Sequence, residues 1–206
     1  MILFRPVGLE ELLLIHRSGM RRFPPRLPDQ PIFYPVLNRG YAEQIARDWN
    51  TKSGTLAGYV TEFEVEDTHA RSFEVQQVGG REHLELWVPA EALDVFNDHI
   101  QGTIRVLGAF FGPSFAGGVA SESALKGKNA REQFEALRAL HAHEAGALGV
   151  EVKANPEAVF ANFPFWEQLG EGSTRSQDSR AVLDAIRTAW SAVFPGTALG
   201  CEPSRA

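Results

Sequence analysis

Apolar residues recur along the chain with two different periods, and the balance between them changes near residue 112. Before that point, alternating positions or short apolar runs predict strands at 2–7, 31–36, 59–65, 73–80, 83–88 and 102–112. Apolar residues three and four positions apart predict helices at 9–19, 38–50 and 89–100. The alternation at 59–65 is typical of a half-buried strand with one face in water.

The pattern after residue 112 is helical. A Gly/Ser-rich stretch at 112–129 predicts a linker, helical periodicity recurs at 130–148, 155–169 and 179–194, and 170–179 is predicted to be a loop. The order of the elements predicts an α+β domain at 1–112 with a split or sandwiched sheet, followed by a helical extension at 113–206. The aromatic residues of the extension are expected to pack on the first domain or to contact a partner.

Composition sets limits on the class of protein. Of the 206 residues, 44% are apolar and 22% are charged, which is ordinary for a globular domain. The chain contains no run of 18 apolar residues, so no membrane span or membrane partner is expected. The single cysteine, Cys201, excludes an internal disulfide, and the expected location is the cytoplasm.

The charge distribution bears on nucleic-acid binding. A net charge of −6 argues against broad binding to nucleic acid, which requires clustered Lys and Arg. One local exception is the basic cluster within 17–26, which is either a solvated turn or a grip for an anion or phosphate. Its members are Arg17, Arg21, Arg22 and Arg26.

Two tyrosines flank the join between a predicted strand and a predicted helix. Tyr34 lies near the end of the strand at 31–36, and Tyr41 lies in the first turn of the next helix, for which Asn38 is a plausible N-cap. Aromatic faces at such a join can hold a flat or partly cationic ring between them. The simpler alternative is that both rings belong to the core, with their hydroxyls at the surface.

A charged residue on a late strand is the second candidate for chemistry. Glu85 lies on the opposite face of its strand from Leu84 and Leu86, and it shares that face with Trp87. It is either a solvated residue or part of a site. Glu82, Glu62 and Glu64 are the rival carboxylates.

Residues 1–112 resemble the ADP-ribosyltransferase superfamily. The segment "LFRPVG" is similar to the first motif of that family, "IFYPVLNRGYA" to the second and "ELWVPAEAL" to the third. The chain also resembles a group of short bacterial proteins that carry an ADP-ribosylation label. The order and spacing of the three motifs carry the resemblance, because each motif alone is short.

The resemblance implies a split β-sandwich with a cleft for NAD, which is the substrate. It implies that Arg5 holds the ribose or phosphates of NAD and that the second motif, with Tyr34, Asn38 and Tyr41, lies against the nicotinamide end. Glu85 would be the catalytic glutamate, which binds the ribose and stabilises the cationic transition state.

The sequence departs from the arginine-modifying members of the family. It has "YPVLN" where those members have a Ser-Thr-Ser run, and His83 where many have Glu or Gln. The acceptor of the ADP-ribose stays open among a protein side chain, a nucleic-acid base, a small molecule and water. The alternative to an enzyme is a non-catalytic module of the same fold that binds NAD or a protein.

Overall fold

A computed structural model of the chain describes residues 1–143, 146–169 and 177–205. The chain divides into two compact units, one made of Met1–Gly112 with Glu202–Ala206 and the other of Pro113–Cys201. The division after Gly112 falls at the change of pattern in the sequence, but the last residues return to the first unit. No helix of the described part of the chain is long and apolar enough to cross a membrane.

The first unit is a mixed α+β structure, which confirms that part of the predicted fold class. The strand predicted at 2–7 has the predicted bounds, those at 59–65 and 102–112 are longer, those at 31–36 and 73–80 are shorter, and the strand predicted at 83–88 is split in two. Two short 3-10 turns, Asn50–Lys52 and Ala90–Ala92, connect elements. The helices and strands are, in chain order, β1 Ile2–Val7, α1 Leu9–Arg17, β2 Ile32–Phe33, α2 Arg39–Asp48, β3 Ala57–Val65, α3 Asp67–Ala70, β4 Val75–Gln77, β5 Leu84–Leu86, β6 Val88–Pro89, α4 Leu93–Asp98 and β7 Ile100–Phe111.

The central sheet is antiparallel, with β3 between β1 and β7. Within β3 every residue except Glu64 is buried, so the prediction of a half-buried strand at 59–65 was wrong. The reason is that β3 carries helix α2 over one face and aromatic core over the other, where Phe63 contacts Phe23 and Phe96. The alternation of apolar and polar residues along β3 therefore does not mean that one of its faces is exposed to water.

One residue connects this sheet to the rest of the unit. Val36 pairs antiparallel with Phe4 of β1 on one side and with Glu85 of β5 on the other. The pairs Ile32↔Pro89 and Phe33↔Val88 of β2 and β6 follow the same register as Val36↔Glu85. Residues 32–37 and 84–89 thus form one antiparallel ladder beside β1, interrupted where Pro35 has no N–H to donate.

Helix α2 approaches the sheet closely at a glycine. A Cβ on Gly58 of β3 would lie 2.2 Å from the carbonyl oxygen of Ala46 in α2, so only glycine allows this packing. The apolar side of the helix, including Ala42 and Ala46, packs against Phe4, Val36 and Val60 of the sheet. This contact fixes the height and direction of α2 above the ladder.

The second unit is helical. Its helices are α5 Ala130–His143, α6 Ala147–Ala154, α7 Pro156–Leu169 and α8 Gln177–Val193. The segment predicted as one helix at 130–148 is two helices, with residues 144–145 outside the described part. The predicted loop at 170–179 lies mostly outside it as well, and packing of the extension on the first domain stays a prediction.

Candidate functional site

Two side chains hold the carboxylate of Glu85. The hydroxyl of Tyr41 donates a hydrogen bond to Oε1 of Glu85 at 3.0 Å, and the indole Nε1–H of Trp87 donates to Oε2 at 3.2 Å. Glu85 itself is half-buried, whereas Tyr41 is only 6% exposed. The carboxylate is therefore fixed in orientation at a place that solvent and a ligand can still reach.

Aromatic rings surround this carboxylate. The imidazole of His83 stacks on the ring of Tyr41, with centroids 4.2 Å apart and an angle of 16° between the planes. The ring of Tyr34 meets Trp87 edge to face at 5.8 Å. Offset and edge-to-face contacts of this kind add about 0.5–1.5 kcal/mol each beyond the area they bury. Together with Glu85, these four side chains make up what we call the Glu85 cluster.

The register of the ladder explains why the cluster forms. Residues that lie opposite each other in an antiparallel ladder project from the same face of the sheet. In the register that places Val36 opposite Glu85, Tyr34 lies opposite Trp87. Tyr41 reaches the same face from above, because it lies in the first turn of α2.

Asn38 positions that first turn. Its side-chain Oδ1 accepts a hydrogen bond from the backbone N–H of Tyr41 at 3.2 Å, which is an N-cap contact. This confirms the expected cap. It also gives the Oδ1 atom a structural partner, so the role of Asn38 in binding a cofactor stays a prediction.

The pKa of Tyr41 follows from its environment. Burial, followed by charge repulsion from the carboxylate of Glu85 and the hydrogen bond to it, together raise this pKa to about 12. Tyr41 is therefore protonated throughout the physiological range. It acts as a hydrogen-bond donor to Glu85 and has no tendency to act as a base there.

Arg5 does not join the Glu85 cluster. Phe4 and Glu85 lie opposite the same residue, Val36, so both project from the face that α2 covers. Since neighbouring residues of a strand alternate between faces, Arg5 projects from the opposite face. Its guanidinium lies 4.5 Å from the centre of the ring of Phe33, a core residue.

The partner of Arg5 is an internal carboxylate. Its Nε donates to Oε1 of Glu11 at 2.7 Å, one terminal nitrogen donates to Oε2 at 3.1 Å, and the other donates to the backbone oxygen of Tyr34 at 3.3 Å. The prediction that Arg5 points into a cleft shared with Glu85 and Tyr41 was therefore wrong. A strand arginine between apolar neighbours found its anion within the protein, on helix α1.

Glu62 and two arginines of the basic cluster have partners elsewhere in the first unit. Glu62 is buried and pairs with Arg105 at 3.0 Å, and Glu82 is exposed. Within the basic cluster, Arg22 contacts Asp98 and Asp94, whereas Arg26 donates to the backbone oxygen of Ile32 and to Gln30. These two arginines have separate partners within the protein.

Two members of the cluster were not predicted as site residues. His83 and Trp87 lie two positions before and after Glu85, and the period of two along a strand places all three on one face. This period of two was the feature of the sequence from which His83 and Trp87 could have been identified as neighbours of Glu85. The stacking of His83 on Tyr41 depends on the position of α2, which the sequence pattern does not contain.

A cavity of about 440 Å³ lies elsewhere in the first unit. Its walls come from helix α1, from the loop that follows it and from the turn after α2, and they include Glu11 and Arg26. Neither Tyr41 nor Glu85 lines it.

Comparison with protein-family models, with curated proteins and with solved structures found no match to this chain.

Proposed function

We propose that the protein is an NAD-dependent ADP-ribosyltransferase, which cleaves the bond between nicotinamide and ribose and transfers ADP-ribose to an acceptor or to water. The observation that carries the proposal is the contact between Tyr41 and Glu85. It joins a residue of the second motif to the candidate catalytic glutamate, 44 positions further along the chain.

The reaction explains why a fixed carboxylate is needed. The bond between C1′ of the ribose and the ring nitrogen breaks, and nicotinamide leaves with both bonding electrons. The acceptor forms a new bond to C1′ through oxygen or nitrogen and releases its proton to solvent. The transition state carries positive charge on the ribose, as in glycoside hydrolysis, and a preorganised carboxylate stabilises that charge more than the ground state.

The hydrogen bonds within the cluster leave Glu85 able to bind substrate. A carboxylate offers about four lone-pair sites, and Tyr41 and Trp87 occupy one on each oxygen. The remaining sites can accept the hydroxyl groups of the ribose. Tyr34 and Trp87 supply ring surface for the nicotinamide, and Trp87 is 42% exposed.

The finer architecture belongs to the same proposal. The ladder formed by 32–37 and 84–89 would be one wall of the NAD cleft, and the split of the sheet would lie along it. Arg5 has no part in this site, because Glu11 holds it on the opposite face of the sheet.

The alternative is a non-catalytic module that binds NAD or a protein through the same surface. One observation favours it: the arginine that the family motif places on the first strand is neutralised within the protein. A site without that cation would hold NAD through its rings and ribose alone. Such a site could bind without turnover.

Incubation of the purified protein with NAD separates these functions. Release of free nicotinamide, followed by chromatography, is expected for an enzyme. Addition of a cell lysate with labelled NAD then distinguishes transfer from hydrolysis, because only transfer attaches the label to macromolecules. Binding of NAD in calorimetry without release of nicotinamide would favour the non-catalytic module.

A further inference from the structure

We infer that the free edge of strand β4 is the docking site for the acceptor, and that this acceptor is an extended, basic protein segment added to the sheet as a further strand. This inference rests on the proposed function. It gives the acceptor a chemical class, which the Glu85 cluster alone does not.

The hydrogen bonds of β5 determine which groups of β4 are available. Leu84 and Leu86 bond to residues 35–37 through the N–H of Leu37 and the oxygen of Pro35, so their backbone groups face the ladder. Groups of successive residues in a strand point to opposite sides, and those of Glu85 therefore point towards β4. They meet Gln76, which lies directly opposite Glu85.

The neighbours of Gln76 consequently face outward. The backbone N–H and C=O groups of Val75 and Gln77 point away from β5, and β4 pairs only with β5 among the described residues. The hairpin also exposes apolar side chains on this edge, with Val75 at 45% and Val78 at 44% exposure. Proteins usually protect an open edge with lysine or proline, and neither occurs in β4 or the residue on either side of it.

The same pairing places an added strand next to the proposed chemistry. Gln76 and Glu85 project from one face, because they are opposite each other in an antiparallel pair. Strands lie about 4.8 Å apart, so the backbone of an added strand would run roughly 10 Å from that of β5. A side chain of the added strand that lies beside Gln76 would project over the face that carries Glu85.

The charge around this edge selects the sign of the partner. Glu74 and Glu82 are exposed beside the hairpin and Glu85 is half-buried on its face, whereas Arg81 is the basic residue in the same segment. The net charge of these side chains is therefore negative. In a segment with Lys or Arg at alternate positions and apolar residues between them, the basic side chains would lie on the face of Glu85 and the apolar ones on the face of the exposed Val75.

The probe that tests the inference is a fluorescein-labelled peptide of about seven residues with alternating lysine and valine, a length typical of one strand. Fluorescence anisotropy is measured with the purified full chain in low salt. Saturable binding that weakens as salt is added is expected. The same peptide with N-methyl groups on alternate residues lacks the donors of one edge, and it should bind at least about tenfold more weakly.

A matched pair of variants tests whether β4 is the docking edge. Gln77→Pro removes an outward N–H and leaves the bonds between Gln76 and Glu85 in place, so the affinity for the peptide should fall about tenfold or more. Gln77→Val is the control. It also loses the bond from the side chain of Gln77 to the backbone oxygen of Gly79, but it keeps the N–H and should bind like wild type.

Failure of the docking site and failure of the proposed function give different results. A wild-type protein that binds the peptide without releasing nicotinamide from NAD supports the docking edge and removes the enzyme. Release of nicotinamide without peptide binding overturns the docking edge. Equal binding by Gln77→Pro and Gln77→Val overturns it too, and so does a dimer of the chain that Gln77→Pro dissociates, because the edge then belongs to a second copy.

Discussion

The hydroxyl of Tyr41 lies 3.0 Å from Oε1 of Glu85 and donates a hydrogen bond to it. The contact joins the first turn of helix α2 to strand β5 across 44 positions of sequence. It exists because Asn38 caps the helix and because Gly58 lets the helix lie close to the sheet.

Titration of Tyr41 should be displaced to high pH. The chain has three tyrosines, so the absorbance of wild type at the phenolate band, minus that of Tyr41→Phe, isolates this residue. The difference should appear with a midpoint near pH 12, because burial and Glu85 raise the pKa to about 12. A midpoint near the ordinary value of about 10 would mean that Tyr41 is not held against the carboxylate.

The raised pKa of Tyr41 should also make the stability of the fold depend on pH in the alkaline range. A raised pKa in the folded state means that the folded protein binds this proton more tightly than the unfolded chain does. The stabilisation is therefore fully present below pH 10 and is lost as the pH rises from about 10 to about 12. The difference in unfolding free energy between wild type and Tyr41→Phe should shrink across that interval, as measured by urea unfolding.

Arg5→Met should destabilise the fold, but Arg5 itself should not be needed for nicotinamide release. It leaves the carboxylate of Glu11 without its cation, and we expect the unfolding free energy to fall by about 2 kcal/mol, less than for a fully buried pair because Glu11 is partly exposed. The double variant Arg5→Met/Glu11→Met should recover most of the loss. Nicotinamide release by that double variant should equal that of wild type. If the double variant is stably folded but no longer releases nicotinamide, Arg5 does contribute to the site.

Asn38→Ala should weaken helix α2. Loss of the cap bond to Tyr41 is expected to lower the unfolding free energy by about 1 kcal/mol, whereas Asn38→Asp, which can form the same bond, should stay close to wild type. Urea unfolding gives both values. If Asn38→Asp is stable but its KM for NAD rises strongly, Asn38 contacts the substrate in addition to capping the helix.

The last residues of the chain should stabilise the first unit. Arg105 is buried, and its Nε donates to Glu202 at 3.0 Å while a terminal nitrogen donates to the backbone oxygen of Pro203 at 2.6 Å. Deletion of 202–206 leaves both donors without these acceptors, and about 2 kcal/mol of stability should be lost.

A background without the buried charges is the control for this deletion. In Arg105→Met/Glu62→Met the guanidinium and its carboxylate partner are both absent, so the same deletion should cost less than about 0.5 kcal/mol. Equal losses in the two backgrounds would show that the tail acts through other contacts.

The sequence was sufficient for the local features of this fold and insufficient for the contacts between distant elements. The period of two identified the face that Glu85 shares with Trp87, and the residue types identified Asn38 as a cap. The burial of both faces of β3 was not predictable. Apolar and polar residues alternate along this strand in the same way whether the polar face meets water or a buried partner such as Arg105.

The role of Arg5 shows the same limit. A strand arginine between apolar neighbours requires an anionic partner or water. Which anion it finds depends on the face of the sheet, and that face follows from the pairing of Phe4 with Val36 and of Val36 with Glu85. A one-residue change of register would exchange the two faces, so no local pattern could decide it.

The most direct test of the proposed function is the rate of nicotinamide release by Glu85→Gln compared with wild type. Glutamine keeps the size of the side chain and one acceptor for Tyr41 or Trp87, but it lacks the charge that faces the developing cation. We expect a fall of at least about a hundredfold in kcat, with an unchanged melting temperature and only a modest change in the Kd for NAD. A folded Glu85→Gln protein that releases nicotinamide as fast as wild type would contradict the assignment of Glu85.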